Sequence, residues 1–206
     1  MPLPNRVDPF GEIHAVPDRG LFMGNRGGCI HTPDQALKPR HWTSQRWIIC
    51  VLDFKGRKRP LMQPGLYTEL FFLDEATALA GGHRPCYECR RPDALAFRAA
   101  LDKAGRVSAR EPVSRVDALI AGEIQSVVKG ECARETVDPA TLPDAAFFTL
   151  GGKAFLKWGN IARAWSFGGY GIPAPLPARA QRLTPRATCA ALAAGYRPVL
   201  HPSAAP

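Results

Sequence analysis

Two apolar runs separated by a polar turn organise the first half of the chain. "RWIICVLDF" (46–54) is β-branched and aromatic, and "LYTELFFL" (66–73) is similar, so both read as strands. Between them "KGRKRP" supplies turn residues and positive charge, which predicts a hairpin, or at least two neighbouring strands, with a basic tip. Asp74 then stands where a helix N-cap belongs, and Glu75 falls in the first turn. Ala76, Leu79 and Ala80 follow at helical spacing before Gly81 and Gly82 end the helix. "RPDALAFRAALDKAG" places Ala94, Phe97, Leu101 and Ala104 on one face as far as Gly105, so a second helix begins beside Cys89.

Elsewhere the pattern is less regular. Residues 1–45 are rich in Pro and Gly without clean periodicity, and "MGNRGGCIHTPDQ" reads as an ordered loop or a disordered arm. "EPVSRVDALIAGE" predicts a short helix with Ser114 as its cap. "AAFFTLGGKAFLKWGNIARAWSF" predicts strands broken at "GG" and "GN", a small antiparallel meander. "GGYGIPAPLPARA" is extended, and "TPRATCAALAAGY" has the Thr, Pro and Gly signals of a last helix. The expected fold is α+β: a zinc-knuckle unit with a β-hairpin and short helices over residues 1–110, then a small unit with the meander over 111–206.

Charge narrows the partners. Lys and Arg number 27 against 18 Asp and Glu, a net +9, which favours an anionic partner such as nucleic acid or a phosphorylated ligand. No apolar run approaches the roughly 18 residues needed to span a bilayer, and the first residues lack a signal-peptide core. The expectation is a cytoplasmic protein with no membrane partner. Its six cysteines are then read as metal ligands, reactive groups or buried small hydrophobes rather than disulfides.

Only Cys86 and Cys89, in "HRPCYECRR", have diagnostic spacing. Cys-x-x-Cys turns two sulfurs to one side, where they can bind one tetrahedral ion. A structural zinc needs two more ligands, and the candidates are Cys29, His31, Cys50 and His83. Cys50, on a strand able to lie beside the turn, and His31 are the preferred pair. "ALAGGHRPC" (78–86) is echoed by "ALAAGYRPV" (191–199), with Tyr196 in the place of His83. An aromatic-sized packing residue therefore suits that position, which argues against His83 as a ligand. Cys132 and Cys189 read as structural.

"LFFLDEATALAGGHRPCYECRRPD" resembles the C-terminal half of the Ada-type metal-binding domain, where a strand and helix lead into a Gly–aromatic–Arg-Pro-Cys-x-x-Cys segment. The resemblance covers about residues 66–93. It implies that Cys86 and Cys89 bind zinc, and that the basic surface around Arg84, Arg90 and Arg91 faces DNA. In Ada repair proteins an upstream cysteine pair completes the site, and one of its thiolates accepts a methyl group. The corresponding "DFKGRKRPLMQPG" contains no cysteine, so the sulfur for methyl transfer is missing from its expected place.

The reading that follows is a zinc-binding protein that binds nucleic acid, DNA foremost, in DNA repair or modification. Arg84, Arg90, Arg91, Lys55, Arg57, Lys58 and Arg59 are its phosphate contacts, with Trp42, Trp47 or Tyr87 available for stacking. Of these, Trp47 reads as core. The alternative is a metal-dependent enzyme acting on nucleic acid, a nuclease, glycosylase or other hydrolase, with Tyr67, Glu69 and Asp74 flanking the cysteines. A zinc deaminase also carries Pro-Cys-x-x-Cys, but needs an upstream His-x-Glu or Cys-x-Glu that is absent here. Redox Cys-x-x-Cys motifs follow a strand and open a helix, whereas this one follows a helix end.

Overall fold

A computed structural model describes residues 1–56 and 60–204. The chain is α+β, with two six-stranded sheets and four α-helices among the described residues. The strands β1 (Arg6–Val7), β2 (Ile13–His14), β3 (Phe22–Arg26), β4 (Trp47–Cys50) and β5 (Leu70–Phe72) precede helix α1 (Glu75–Ala80). The short β6 (Arg84–Pro85), α2 (Arg91–Lys103) and α3 (Val113–Val128) follow. The second half holds β7 (Thr136–Val137), β8 (Phe147–Leu150), β9 (Lys153–Trp158), β10 (Ile161–Ser166), β11 (Gly169–Pro175), β12 (Ala180–Arg182) and α4 (Arg186–Ala193).

The first sheet has the order β2-β1-β5-β3-β4-β6, and the pairs β1/β5 and β4/β6 are parallel. Strands β4 and β5 are therefore not neighbours, contrary to the expected hairpin. β3, from the segment read as a loop or arm, lies between them and pairs antiparallel with both. Its composition conceals it, because Gly24 and Asn25 are poor strand formers. Gly24 is required there by close approach: a Cβ would meet the carbonyl oxygen of Ile48 at 2.0 Å.

The second sheet, β11-β10-β9-β8-β12-β7, is antiparallel throughout, and its β8–β11 run is the expected meander. One buried apolar cluster joins residues of both halves, from Val7 and Phe72 to Phe147 and Leu192. Helix α3 belongs to the second half by sequence, yet Ile124 forms a second small cluster with Trp42 and Trp47 against the first sheet.

Local signals around the cysteines fold as read. Asp74 caps α1, its Oδ1 accepting from the Thr77 N–H at 2.8 Å. Pro92 stands in the first turn of α2, where its missing N–H removes no helical bond. α3 runs longer than expected: Pro112 is its N-cap and Ser114 lies inside the first turn.

Candidate metal centre

Three thiols meet at one point. β4 and β6 run parallel with Ile48 opposite Arg84 and Ile49 opposite Pro85, so the next residues, Cys50 and Cys86, leave the two strands side by side. The Cys86 N–H donates to the Ile49 carbonyl at 2.9 Å, fixing that register. The chain then turns, with the Arg90 N–H donating to the Cys86 carbonyl at 3.0 Å, which brings Cys89 back to the same side. The sulfurs of Cys50, Cys86 and Cys89 all lie within 4.8 Å of one another. A tetrahedral ion at a metal–sulfur distance of about 2.3 Å sets its sulfurs about 3.8 Å apart, so the group can close on a metal with small adjustments.

Proton sharing follows from this proximity. Hydrogen bonding from Cys50 pushes the Cys86 thiol down to about 5, helped by the N–H groups of Cys89 and Glu88 and opposed by burial. The Glu88 N–H lies 3.4 Å from the Cys86 sulfur. Cys89 is also lowered, first by Cys50, while hydrogen bonding with Cys86 and Cys89, and then burial, favour the protonated form of Cys50 and raise it. Three cysteine sulfurs drawn together form a soft donor set, the kind that selects zinc, copper(I) or iron–sulfur chemistry over hard cations. Among the described residues no fourth His, Cys, Asp or Glu joins the group.

His31 lies elsewhere. It is buried, with Nδ1 2.6 Å from the Thr68 hydroxyl and Nε2 3.1 Å from the Gln63 carbonyl, so both ring nitrogens are occupied. Its near neighbour is Cys29, 3.8 Å away. His83 is fully buried between Trp47 and Phe72, and its Nε2 accepts from Arg26 at 3.3 Å. That neutral, sandwiched imidazole matches the packing role the Tyr196 echo suggested.

The arginines expected to meet phosphates divide into two sets. Arg84 is buried and grips Asp117 on α3 with Nε to Oδ1 at 2.8 Å and Nη2 to Oδ2 at 3.3 Å. Arg90 is buried between Glu75, at 2.9 Å, and Asp93, at 3.1 Å, with its guanidinium 4.5 Å over the Phe22 ring. Both therefore point inward, where carboxylates meet their charge. Arg91 is exposed, as is Lys55, which lies 5.1 Å over the Phe54 ring. Arg57, Lys58 and Arg59 lie outside the described residues.

Of the acids flanking the cysteines, Asp74 is buried and caps α1, and Glu69 is buried with an oxygen 2.9 Å from the Met62 N–H. Glu69 thus faces inward rather than solvent. Trp47 is core, as read.

A cavity of about 720 Å³ opens beside the thiols. Cys86 and Ile48, which shares a face of β4 with Cys50, form part of its wall, with Arg46, Tyr87, Arg98 and Ser114. Arg98 also donates to the carbonyls of Ser108 and Ala109, each at 3.1 Å, which shapes the loop between α2 and α3. Sequence reasoning passed over Arg46 and Arg98 because neither sits in a charge run. Their signal is positional, one before β4 and one on α2, and it exists only once β4 and β6 are paired.

Compared with protein-family models, curated proteins and solved structures, the chain has no match. No helix among the described residues is long and apolar enough to cross a membrane.

Proposed function

We propose that Cys50, Cys86 and Cys89 hold a zinc ion and that the protein is a zinc-stabilised nucleic-acid-binding protein with DNA as its foremost partner. The observation that carries this reading is the convergence of three thiols from a strand end and a Cys-x-x-Cys turn. A donor set of three sulfurs suits a thiophilic ion, and the resemblance of residues 66–93 to Ada-type domains points the same way for Cys86 and Cys89. Zinc would fix β4 against the start of α2, so part of its binding free energy is folding free energy.

The anionic partner rests on the net charge of +9 and on Arg46, Arg91 and Lys55, exposed cations with no ion pair among the described residues. The reading expects fluorescence anisotropy with short single- and double-stranded DNA to give binding that weakens steeply with salt and falls on chelation of the metal. Binding that survives complete metal removal, or that is absent at low salt, contradicts it.

A second reading is favoured by one observation. Three thiols without a fourth protein donor among the described residues leave a coordination position for water or a substrate, as in catalytic rather than closed structural sites. In cobalt-substituted protein, added cyanide or imidazole then shifts the visible spectrum. A spectrum indifferent to both belongs to a closed, structural site.

A further inference from the structure

Arg26 is 2 % exposed and sits at an inward position of β3. Its Nη2 donates to the Gly11 carbonyl at 2.8 Å, its Nε donates to His83, and its guanidinium lies 4.0 Å over the Trp47 ring. Arg134, on the loop before β7, donates to the Phe10 carbonyl at 3.3 Å and lies 5.5 Å over the Phe10 ring. Neither guanidinium has a carboxylate within ion-pair distance among the described residues. Arginine keeps its charge at any physiological pH, and a buried cation is ordinarily paired with an anion. Arg26 is buried and Arg134 half-buried; the aromatic faces offset part of the lost hydration, and Asp8, with Glu12 for Arg134, acts on the charge from beyond ion-pair distance.

Both arginines face one cavity. It measures about 440 Å³ and has Gly11, Glu12, Arg26, His41, Trp42 and Arg134 in its wall. A second cavity, of about 460 Å³, shares Phe10 and Arg134 and continues past Thr149 to Arg179. None of the three clustered thiols lines either space. His41, in the same wall, is pushed below its ordinary value first by burial and then by the charge of Arg26, with Glu12 opposing. The nearby acids do not cancel that charge by pairing. The Asp8 carboxylate is taken by the N–H groups of Phe10 and Glu12 and by the His14 ring, and Glu12 is exposed at the rim.

We infer that the cavity between Arg26 and Arg134 is an anion site for a phosphoryl group, held by the two guanidinium groups with Trp42 in its wall. The site is independent of the metal. Two guanidinium groups lining one space suit a tetrahedral oxyanion with several acceptor oxygens; Arg26 offers it Nη1, since its Nε and Nη2 already donate to His83 and Gly11. That phosphoryl group belongs either to a small phosphorylated molecule or to a nucleic-acid backbone running from Arg26 past Arg134 towards Arg179.

The test uses the full chain. Inorganic phosphate is titrated by calorimetry, and a short oligothymidylate by anisotropy at matched ionic strength, into wild type, Arg134→Gln and Cys86→Ser. Arg26→Gln is added, but Arg26 is core and that variant alone would not separate binding from folding. The expected result is saturable phosphate binding at one site, weakened about tenfold or more by Arg134→Gln, as loss of a charged hydrogen bond implies. Metal content and unfolding midpoint of Arg134→Gln stay at the wild-type values, and Cys86→Ser keeps its phosphate affinity. If the oligonucleotide competes with phosphate and binds more tightly, the source is a nucleic-acid backbone; if it does not compete, the source is a small phosphorylated molecule. Absence of saturable phosphate binding, or a smaller loss in Arg134→Gln, overturns the inference. Loss of zinc binding with phosphate binding intact leaves it standing and contradicts only the metal reading.

Discussion

Arg90, the residue after Cys89, donates from Nη2 to Oε2 of Glu75 at 2.9 Å, and through that carboxylate the cysteine turn is tied to both α1 and the C-terminal segment. The same Glu75 accepts from the Tyr196 hydroxyl at 2.5 Å and from the Val199 N–H at 2.9 Å. Burial, and the adjacent Glu75 charge, push Tyr196 far above its ordinary value, so its hydroxyl remains a donor. Removing one partner strands the others. Glu75→Gln is expected to lower stability by about 3 kcal/mol, as for a broken buried ion pair. Tyr196→Phe should lower it by about 1.5–3 kcal/mol through one charged hydrogen bond. Urea unfolding of both variants checks the ranking, and a Glu75→Gln midpoint equal to wild type would remove the network from the account.

Arg84 and Asp117 make a second internal pair, between β6 and α3. Arg84→Met alone is expected to cost about 3–5 kcal/mol, because Asp117 is left buried without its partner. Arg84→Met with Asp117→Leu should recover most of that loss, since the desolvation of both charges is relieved together. The comparison separates an internal role from a phosphate contact. If Arg84→Met leaves stability unchanged but flattens the salt dependence of DNA binding, the arginine faces its ligand after all.

His83 makes stability depend on pH. Burial first, then the charge of Arg26, holds its folded pKa well below the ordinary value. The unfolded chain therefore binds a proton that the folded chain refuses, and stability falls as pH drops below about 6.5. Above that value the histidine is neutral in both states and contributes no slope. His83→Gln keeps an acceptor for Arg26 and cannot titrate, so it should flatten this part of the profile. Urea midpoints across mildly acidic pH measure it, and an unchanged slope in the variant assigns the acid sensitivity to other groups.

What the sequence made legible was local. The Asp74 cap, the Gly ends, the α2 face and the β8–β11 meander all depend on residues a few positions apart, and each folds as its pattern predicts. Cys50 was legible as a strand thiol, but its meeting with Cys86 depends on a parallel pairing of two residues per strand that leaves no local trace. β3 was hidden because its register is imposed by the strands on either side, which tolerate Gly24 and Arg26 at inward positions. Arg84 and Arg90 were misdirected for a related reason. A run of arginines reads as a basic surface, whereas their carboxylates, Asp117 and Glu75, lie 33 and 15 residues away.

His31 shows the limit of reasoning by residue type. Histidine next to cysteine looks like half a metal site, yet Thr68 and Gln63 occupy its ring nitrogens. His31→Ala is therefore expected to lower stability by about 1–3 kcal/mol, through the unsatisfied Thr68 hydroxyl and the cavity left behind. Its metal content should stay that of wild type. Thermal unfolding and metal analysis of one preparation check both halves.

The most direct test of the account is metal content of untagged protein by mass spectrometry, for wild type and for Cys50→Ser, Cys86→Ser, Cys89→Ser and His31→Ala. Wild type and His31→Ala are expected to carry one zinc per chain, and each cysteine variant to lose it. Zinc retained in full by Cys50→Ser, or lost in His31→Ala, would contradict the three-sulfur centre.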